Sequence, residues 1–124
     1  MRSALQCTGI DAADVDYVNL HGTGTKANDT AEDMAVAQVF GDQILCSATK
    51  GSTGHALGAA GIVESLICCL AIDRSFVPGT ANLSVRDTTL KLRPAISGEE
   101  ASIGVALTNS FGFGGSNCSL LFGK

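Results

Sequence analysis

The feature that most constrains this 124-residue chain is an apolar run at residues 56–72, in which Glu64 is the only charged side chain. The run has seventeen residues, which is the short limit for a helix that crosses a membrane. A cluster of glycine and alanine at residues 58–61 and a carboxylate near the middle argue against a membrane span. The run therefore predicts a helix buried on nearly every face inside a globular protein, and such a helix requires a second layer of protein to cover it.

The composition indicates a folded chain with few charged groups. Hydrophobic residues make up 45% of the sequence and charged residues 16%, against roughly 25% charged residues in an average domain, so intrinsic disorder is excluded. A net charge of −4 with only eight scattered basic residues argues against binding to nucleic acid. Five cysteines without a C-x-x-C pair predict reduced thiols in a reducing, cytoplasmic compartment rather than a disulfide framework, and we expect no signal peptide.

Capping and turn signals divide the remaining sequence into alternating helices and strands. Residues 1–10 are predicted to form a helix. Asp29 and Glu32 match a capping box, which predicts a second helix from about Asp29 to Phe40. Residues 73–100 are the least periodic and are expected to hold one or two edge strands. Other strands are predicted at residues 15–20, 44–48, 102–109 and 117–122, and this order predicts an α/β layer with a mixed sheet.

Three glycine-rich loops at the ends of predicted strands carry the polar residues from which a site could be built, since α/β proteins usually bind ligands there. They are H-G-T-G-T at 21–25, K-G-S-T-G-H at 50–55 and N-S-F-G-F-G-G-S-N at 109–117, and they contain both histidines of the chain. Neither a dinucleotide-binding nor a P-loop glycine spacing occurs, and the histidines lack the spacing of a metal site, so no metal is expected. Taken singly, each loop is explained by glycines that meet positive-φ demands.

Taken together, 21–25, 50–61 and 109–117 resemble, in order and spacing, the three C-terminal signatures of β-ketoacyl-acyl-carrier-protein synthases of the elongating, two-histidine type. The resemblance covers nearly the whole chain and is weakest at residues 73–101. It implies the thiolase-like α/β fold, in which two similar halves stack in α-β-α-β-α layers. Residues 1–124 would be the C-terminal ketosynthase domain, with the apolar helix in the central layer and the nucleophile-bearing N-terminal half absent.

The resemblance also implies a reaction, the decarboxylative Claisen condensation of malonyl-carrier protein with an acyl thioester in fatty-acid or polyketide synthesis. His21 and His55 match the catalytic pair, and as neutral imidazoles they would donate hydrogen bonds to the malonyl thioester oxygen as the enolate forms. Lys50 matches the lysine that holds the region of the second histidine in place, and Glu32 matches its acidic partner. Asp29 would join the same polar network, but helix capping alone explains it too, and we rank the cap first.

The remaining matches concern the substrate, which the family receives on the phosphopantetheine of acyl carrier protein, without a bound cofactor. Thr23 and Thr25 match residues that hydrogen-bond the pantetheine arm. Phe113 matches the aromatic gate of the acyl pocket, and its backbone N–H matches a donor of a second oxyanion hole. Phe111 is assigned to packing, and Asn109 to bracing its turn through backbone groups. The implied partners are acyl carrier protein, the N-terminal half and a second copy of the full-length protein, with neither nucleic acid nor membrane.

No cysteine lies on the strand-to-helix elbow where the family carries its nucleophile. Cys7 is predicted in the first helix, Cys46 and Cys118 in strands, and Cys68 and Cys69 in the buried apolar helix, where burial raises a thiol pKa and makes it inert. We therefore expect the isolated chain to be inactive in condensation. The apolar helix and the low charge content predict that it associates with the missing half or with itself.

Three other functions remain open. A non-catalytic subunit of the chain-length-factor type would shape an acyl cavity beside an active partner, but it would have no chemical need for His21, Lys50 and His55. A thiolase-type enzyme fits less well, because thiolases generally use a different set of residues. The third alternative is a module that binds carrier protein and has no catalytic activity.

Overall fold

A computed structural model describes all residues from Met1 to Lys124. A four-stranded sheet lies at its centre. The helices are α1 (Arg2–Thr8), α2 (Lys26–Phe40), α3 (Lys50–Thr53) and α4 (Ala60–Arg74), and the strands are β1 (Tyr17–Asn19), β2 (Leu45–Ser47), β3 (Phe76–Val77), β4 (Glu99–Glu100), β5 (Val105–Phe111) and β6 (Asn117–Gly123). Short 3-10 turns occupy Ala12–Asp14, Leu57–Ala59 and Phe113–Gly115.

The sheet is mixed, as predicted, with the strand order β2-β1-β5-β6. β1 is parallel to both β2 and β5, so that Asn19 lies opposite Ser47 on one side and Thr108 on the other. β5 and β6 form an antiparallel pair joined by the glycine-rich segment 112–116. A separate two-stranded sheet, β3 with β4, lies within the aperiodic stretch where edge strands were predicted. The carboxyl ends of β1 and β2 therefore lie side by side, directly before the first two glycine-rich loops.

Alternation along the strands builds one hydrophobic core on each face of the sheet. On one face, Val18, Cys46 and Leu107 pack with Val36 of α2 and Leu5 of α1. The opposite core is formed against α4 by buried residues that include Tyr17, Cys68, Ala71, Ile72 and Ala106. Helices thus cover both faces of the sheet.

Helix α2 begins earlier than the capping box predicts. Thr25, with an extended backbone (φ −100°, ψ 136°), is the residue before the first turn, and the Asp29 N–H donates to the Thr25 carbonyl at 2.9 Å. Asp29 therefore lies inside the first turn and is not the cap. Glu32 does not close a capping box, because its carboxylate accepts hydrogen bonds from the backbone N–H groups of His21 and Gly22.

The apolar run 56–72 is not one continuous helix, and only one of its faces is buried. Ala60, Glu64, Cys68 and Ala71, spaced three or four residues apart, lie buried on α4. On the remaining surface of the run, Leu57, Ile62, Leu66 and Leu70 are 71%, 65%, 58% and 54% exposed. The apolar side of α4 that the sequence analysis expects a second layer of protein to cover is therefore exposed within these 124 residues. No helix of the chain has the length and hydropathy needed to cross a membrane.

Candidate functional site

The first histidine follows β1 and is held by α2. The backbone N–H groups of His21 and Gly22 each donate to a different oxygen of the Glu32 carboxylate, both at 2.8 Å. Gly22 has φ +44°, and a Cβ there would lie 2.4 Å from the Cβ of Ala48, so the turn requires glycine. Two charge-assisted hydrogen bonds and a close contact between the two loops therefore fix the backbone that carries His21.

Lys50, the first residue of α3, contacts the same histidine through its side-chain ammonium. Its buried ammonium donates to the His21 carbonyl oxygen at 2.6 Å and to His21 Nδ1 at 3.1 Å, and it forms an ion pair with Glu64 of α4. Each of the three N–H groups of the ammonium thus has an acceptor.

One expectation for Lys50 is wrong. Its acidic partner is Glu64 and not Glu32, because backbone N–H groups already engage the Glu32 oxygens. The Lys50 ammonium contacts the first histidine directly, and the Lys50 carbonyl accepts the N–H of Gly54, the residue before His55, at 2.9 Å.

Sequence reasoning missed Glu64 as a site residue, although a signal existed. A carboxylate that is 1% exposed needs a charged partner, and Glu64 is the only charged residue in the apolar run. Burial raises the pKa of Glu64, and the Lys50 ammonium opposes that rise. Burial likewise raises the pKa of Glu32, while its bonds from Gly22 and His21 lower it.

The environment of His21 keeps its imidazole neutral. Burial, followed by the positive charge of Lys50 and the nearby His55, lowers the pKa of His21 from 6.5 to about 4. Because the Lys50 ammonium can only donate, Nδ1 of His21 accepts and the single ring proton lies on Nε2. The ring packs edge-on with Phe111, with centroids 5.4 Å apart and an angle of 62° between the rings, which is the packing role predicted for Phe111.

His55 lies beside His21, but it is far more exposed. The two ring centroids are 5.4 Å apart and the rings are nearly perpendicular, at 85°. The Leu57 N–H donates to His55 Nδ1 at 3.3 Å, so Nδ1 is the acceptor and the ring proton lies on Nε2 as well. The preceding segment is not the loop that was predicted: residues Lys50–Thr53 form α3, which ends at Gly54 with φ +73°. The fold thus brings together two Nε2–H donors from two strand ends.

The predicted supporting residues divide into those near the histidines and those at the rim. Asn109 does not brace a turn: it is buried in β5, where it donates to Glu32 Oε1 at 3.3 Å and accepts from the Ser119 hydroxyl at 2.8 Å. It lies in a strand because β5 continues to Phe111, two residues beyond the predicted end. Asp29 reaches this network only through Asn28, whose amide donates to it at 3.1 Å.

The residues predicted to meet the substrate lie at the surface. The hydroxyls of Thr23 and Thr25 are hydrogen-bonded to each other at 2.9 Å and are exposed. Phe113 is fully exposed. A cavity of about 750 Å³ adjoins the site, with Gly22, Thr23, Lys50 and His55 in its lining, and we refer to it as the site cavity. Its other side is formed largely by residues between Thr80 and Pro94.

No cysteine lines this cavity, and all five thiols are free. Burial raises the pKa of Cys46 and of Cys68 to about 12, which leaves both thiols protonated and unreactive. Cys69 was predicted to be buried, but it lies on the exposed side of α4, because the neighbouring Cys68 faces the sheet. Cys7 and Cys118 are also exposed.

Comparison with known proteins gives a consistent family. Residues 1–84 match the model of the β-ketoacyl synthase C-terminal domain. The chain is 48% identical over 127 aligned residues to 3-oxoacyl-[acyl-carrier-protein] synthase 2 of Rhizobium meliloti (strain 1021), and the alignment covers 98% of this chain and 30% of that protein.

Two solved structures extend the match to the fold. The ishigamide ketosynthase/chain length factor superimposes with a TM-score of 0.94 and 36% identity, over 99% of this chain and 31% of that one. A type II PKS acyl-carrier protein in complex with its ketosynthase bound to the hexaketide gives a TM-score of 0.86 and 31% identity, over 97% of this chain and 30% of that one. The chain therefore spans about a third of the length of the relatives that it matches.

Proposed function

The chain belongs to the β-ketoacyl synthase family, with the thiolase-like fold, and we propose that it forms the C-terminal part of an active site for the decarboxylative condensation of a malonyl thioester with an acyl thioester. The observation that carries this proposal is the pair of imidazoles. His21 and His55 lie 5.4 Å apart, each accepts a hydrogen bond at Nδ1, and each therefore keeps Nε2–H free to donate.

Two such donors suit the charge that develops in the reaction. As carbon dioxide leaves the malonyl group, the electron pair of the breaking C–C bond moves to the α-carbon and delocalises onto the thioester oxygen. Hydrogen bonds from both Nε2–H groups to that oxygen stabilise the enolate, an effect worth about 3–4 kcal/mol per donor in known oxyanion holes. The low pKa of His21 matters here, because an imidazolium would protonate the carbanion before it could attack the acyl thioester.

The surrounding residues hold this geometry. Lys50 and Glu64 fix the tautomer and position of His21 from one side, and Glu32 fixes its backbone from the other. We assign Thr23 and Thr25, at the exposed rim, to hydrogen bonds with the amides of the pantetheine arm. Phe113, exposed beyond β5, is the proposed gate of the acyl pocket.

The nucleophile is proposed to come from polypeptide outside these residues. Relatives are about three times as long as this chain, and neither the two buried thiols nor the three exposed ones border the site cavity. The same additional polypeptide is proposed to cover the exposed face of α4. The proposed partners of the full-length protein are acyl carrier protein and a second ketosynthase-type subunit. We propose that it binds no cofactor and acts in the cytoplasm.

A chain-length-factor-type subunit is the second candidate, because one matched structure is a ketosynthase/chain length factor pair. The buried Lys50–Glu64 pair favours the active enzyme, since it occupies His21 Nδ1 and leaves the ring proton on Nε2, an arrangement that a subunit without chemistry does not need.

The test is acyl transfer followed by condensation. The full-length protein and residues 1–124 are each incubated with an acyl-carrier-protein thioester, and their intact masses are measured. We expect an acyl adduct on a cysteine outside 1–124 in the full-length protein and no adduct on the short chain. Malonyl-carrier protein should then give a 3-oxoacyl product. Acylation of Cys7, Cys69 or Cys118 would contradict the proposal, and a full-length protein that releases no product would favour the chain-length-factor role.

A further inference from the structure

The side of the site cavity opposite His55 is formed by an irregular segment between β3 and β4. We refer to residues 79–95 as the wall segment. It faces the loops that carry His21 and His55 and contributes Thr80, Arg86 and Leu92, among others, to the lining of the cavity. The position of this segment therefore decides how wide the cavity is on the side where a substrate arm would lie.

The two ends of the wall segment are anchored on the sheet and on α3. The Thr80 hydroxyl accepts the Ala48 N–H at 3.1 Å, and the Ala95 N–H donates to the Cys46 carbonyl at 2.8 Å. Ala81 lies against Gly51, where a Cβ would approach the Ala81 carbonyl oxygen to 2.6 Å. These contacts fix where the segment leaves the body of the protein and where it returns.

The middle of the segment has a single polar anchor. Between residues 83 and 93, the hydrogen bonds to protein outside the wall segment are the two donated by the backbone N–H groups of Lys91 and Leu92. Both go to one oxygen of Asp33 on α2, at 2.9 and 2.7 Å. Asp33 is only 5% exposed, and Leu92 beside it is buried in the core under α2. A carboxylate that accepts two backbone donors is a strong, directional anchor.

We propose that Asp33 is a positioning residue that holds the wall segment against α2 and thereby sets the affinity of the site cavity for the carrier-borne substrate. This inference rests on the proposed function only for the identity of the ligand, a pantetheine thioester. Asp33 touches neither histidine. Its effect is therefore expected on substrate binding rather than on the chemical step, for which His21 and His55 keep their own contacts to Lys50, Glu32 and Leu57.

The test compares Asp33→Ala with Asp33→Asn in the full-length protein. Alanine leaves the buried N–H of Leu92 and the half-buried N–H of Lys91 without an acceptor, so we expect KM for malonyl-carrier protein to rise about tenfold while kcat changes less than about twofold. The Asn amide oxygen can accept both bonds, so Asp33→Asn should restore KM. Amide hydrogen exchange at residues 91 and 92 should be faster in the Ala variant alone. If that variant is insoluble, Asp33→Ser, too short to hold both donors, replaces it with the same expected result.

An unchanged KM in the Ala variant, an equally impaired Asn variant, or a loss confined to kcat would each overturn the inference. A separate titration with free pantetheine keeps this result distinct from the fate of the proposed function. If the wild-type protein binds pantetheine but does not condense substrates, the proposed function fails, and weaker pantetheine binding by Asp33→Ala still supports the role of Asp33. Equal binding by both proteins, or no binding by the wild type, would refute it.

Discussion

The two histidines face each other across 5.4 Å but are held in very different ways. His21 is 5% exposed, its backbone is fixed by Glu32, and its ring is held by Lys50 and packed on Phe111. His55 is exposed, and its ring accepts one backbone hydrogen bond from Leu57. These 124 residues therefore enclose and fix His21 almost completely. Within them, His55 is held by a short turn alone.

The largest effect that would break this comparison is expected at Lys50. Lys50→Met leaves Glu64 buried without its partner, and loss of one member of a buried ion pair costs about 3–5 kcal/mol of unfolding free energy. Denaturant unfolding of the full-length protein measures the loss. The double variant Lys50→Met/Glu64→Leu, which removes both charges, should recover most of that stability but not the condensation rate. If the single and double variants were equally unstable, the unpaired Glu64 carboxylate would not be the cause of the loss.

The next effect is expected at Glu32, on the other side of His21. Glu32→Ala removes the acceptor of two backbone N–H groups, and we expect a loss of about 2–3 kcal/mol in the unfolding free energy. Glu32→Gln keeps one carbonyl oxygen as an acceptor and should lose less. Asp29→Ala is the matched control on the same helix, since Asp29 neither caps α2 nor bonds His21, and it should change stability by less than about 0.5 kcal/mol. Equal losses for the Asp29 and Glu32 variants would contradict the role of Glu32.

The third effect is a pH dependence of the unfolding free energy that His21 causes. Its pKa is about 4 in the folded protein and about 6.5 when unfolded, so between these values the unfolded state binds more protons. His21 therefore lowers the unfolding free energy as the pH falls from about 6.5 to about 4. Because Glu32 and Glu64 also titrate, the measurement is the difference between wild type and His21→Asn across this range. If the unfolding free energies of wild type and His21→Asn changed with pH in parallel, a buried, neutral His21 would be contradicted.

The smallest effect on stability is expected at His55. His55→Ala removes an exposed ring and should change the unfolding free energy by less than about 0.5 kcal/mol. The condensation rate should nevertheless fall about a hundredfold or more, because one enolate donor is lost. Ser52→Ala, exposed on α3, is the control that should change neither quantity. A His55 variant that unfolds easily would mean that the two histidines are not held differently.

Much of this arrangement was predictable from the sequence because its signals are local. Glycine-rich loops at strand ends and the order of helices and strands predicted the mixed α/β sheet and placed both histidines at one of its edges. The partners of charged residues were not local. Glu32 satisfies the capping-box spacing, but it serves the turn after β1, about ten residues earlier in the chain, and so the start of α2 was misplaced.

The Lys50–Glu64 pair was also not predictable from local sequence signals, since it depends on which face α4 turns toward the sheet. Hydropathy alone predicted that the apolar run would be covered all round. Hydropathy does not indicate whether the covering layer belongs to the same 124 residues. Within these residues, Leu66 and Leu70 lie exposed. Asn109 was assigned to a turn because asparagine favours turns, yet the pairing of β5 with β6 extends the strand past it.

The most direct test of the account is the tautomeric state of the two histidines in the full-length protein, measured by nitrogen NMR of histidine-labelled protein at neutral pH, with His21→Asn and His55→Ala to assign the signals. We expect both rings to carry their proton at Nε2, and His21 should remain neutral until the pH approaches 4. A proton on Nδ1 of either ring, or an imidazolium at His21, would remove a donor from the site or protonate the carbanion, and would contradict the proposal that this pair stabilises an enolate.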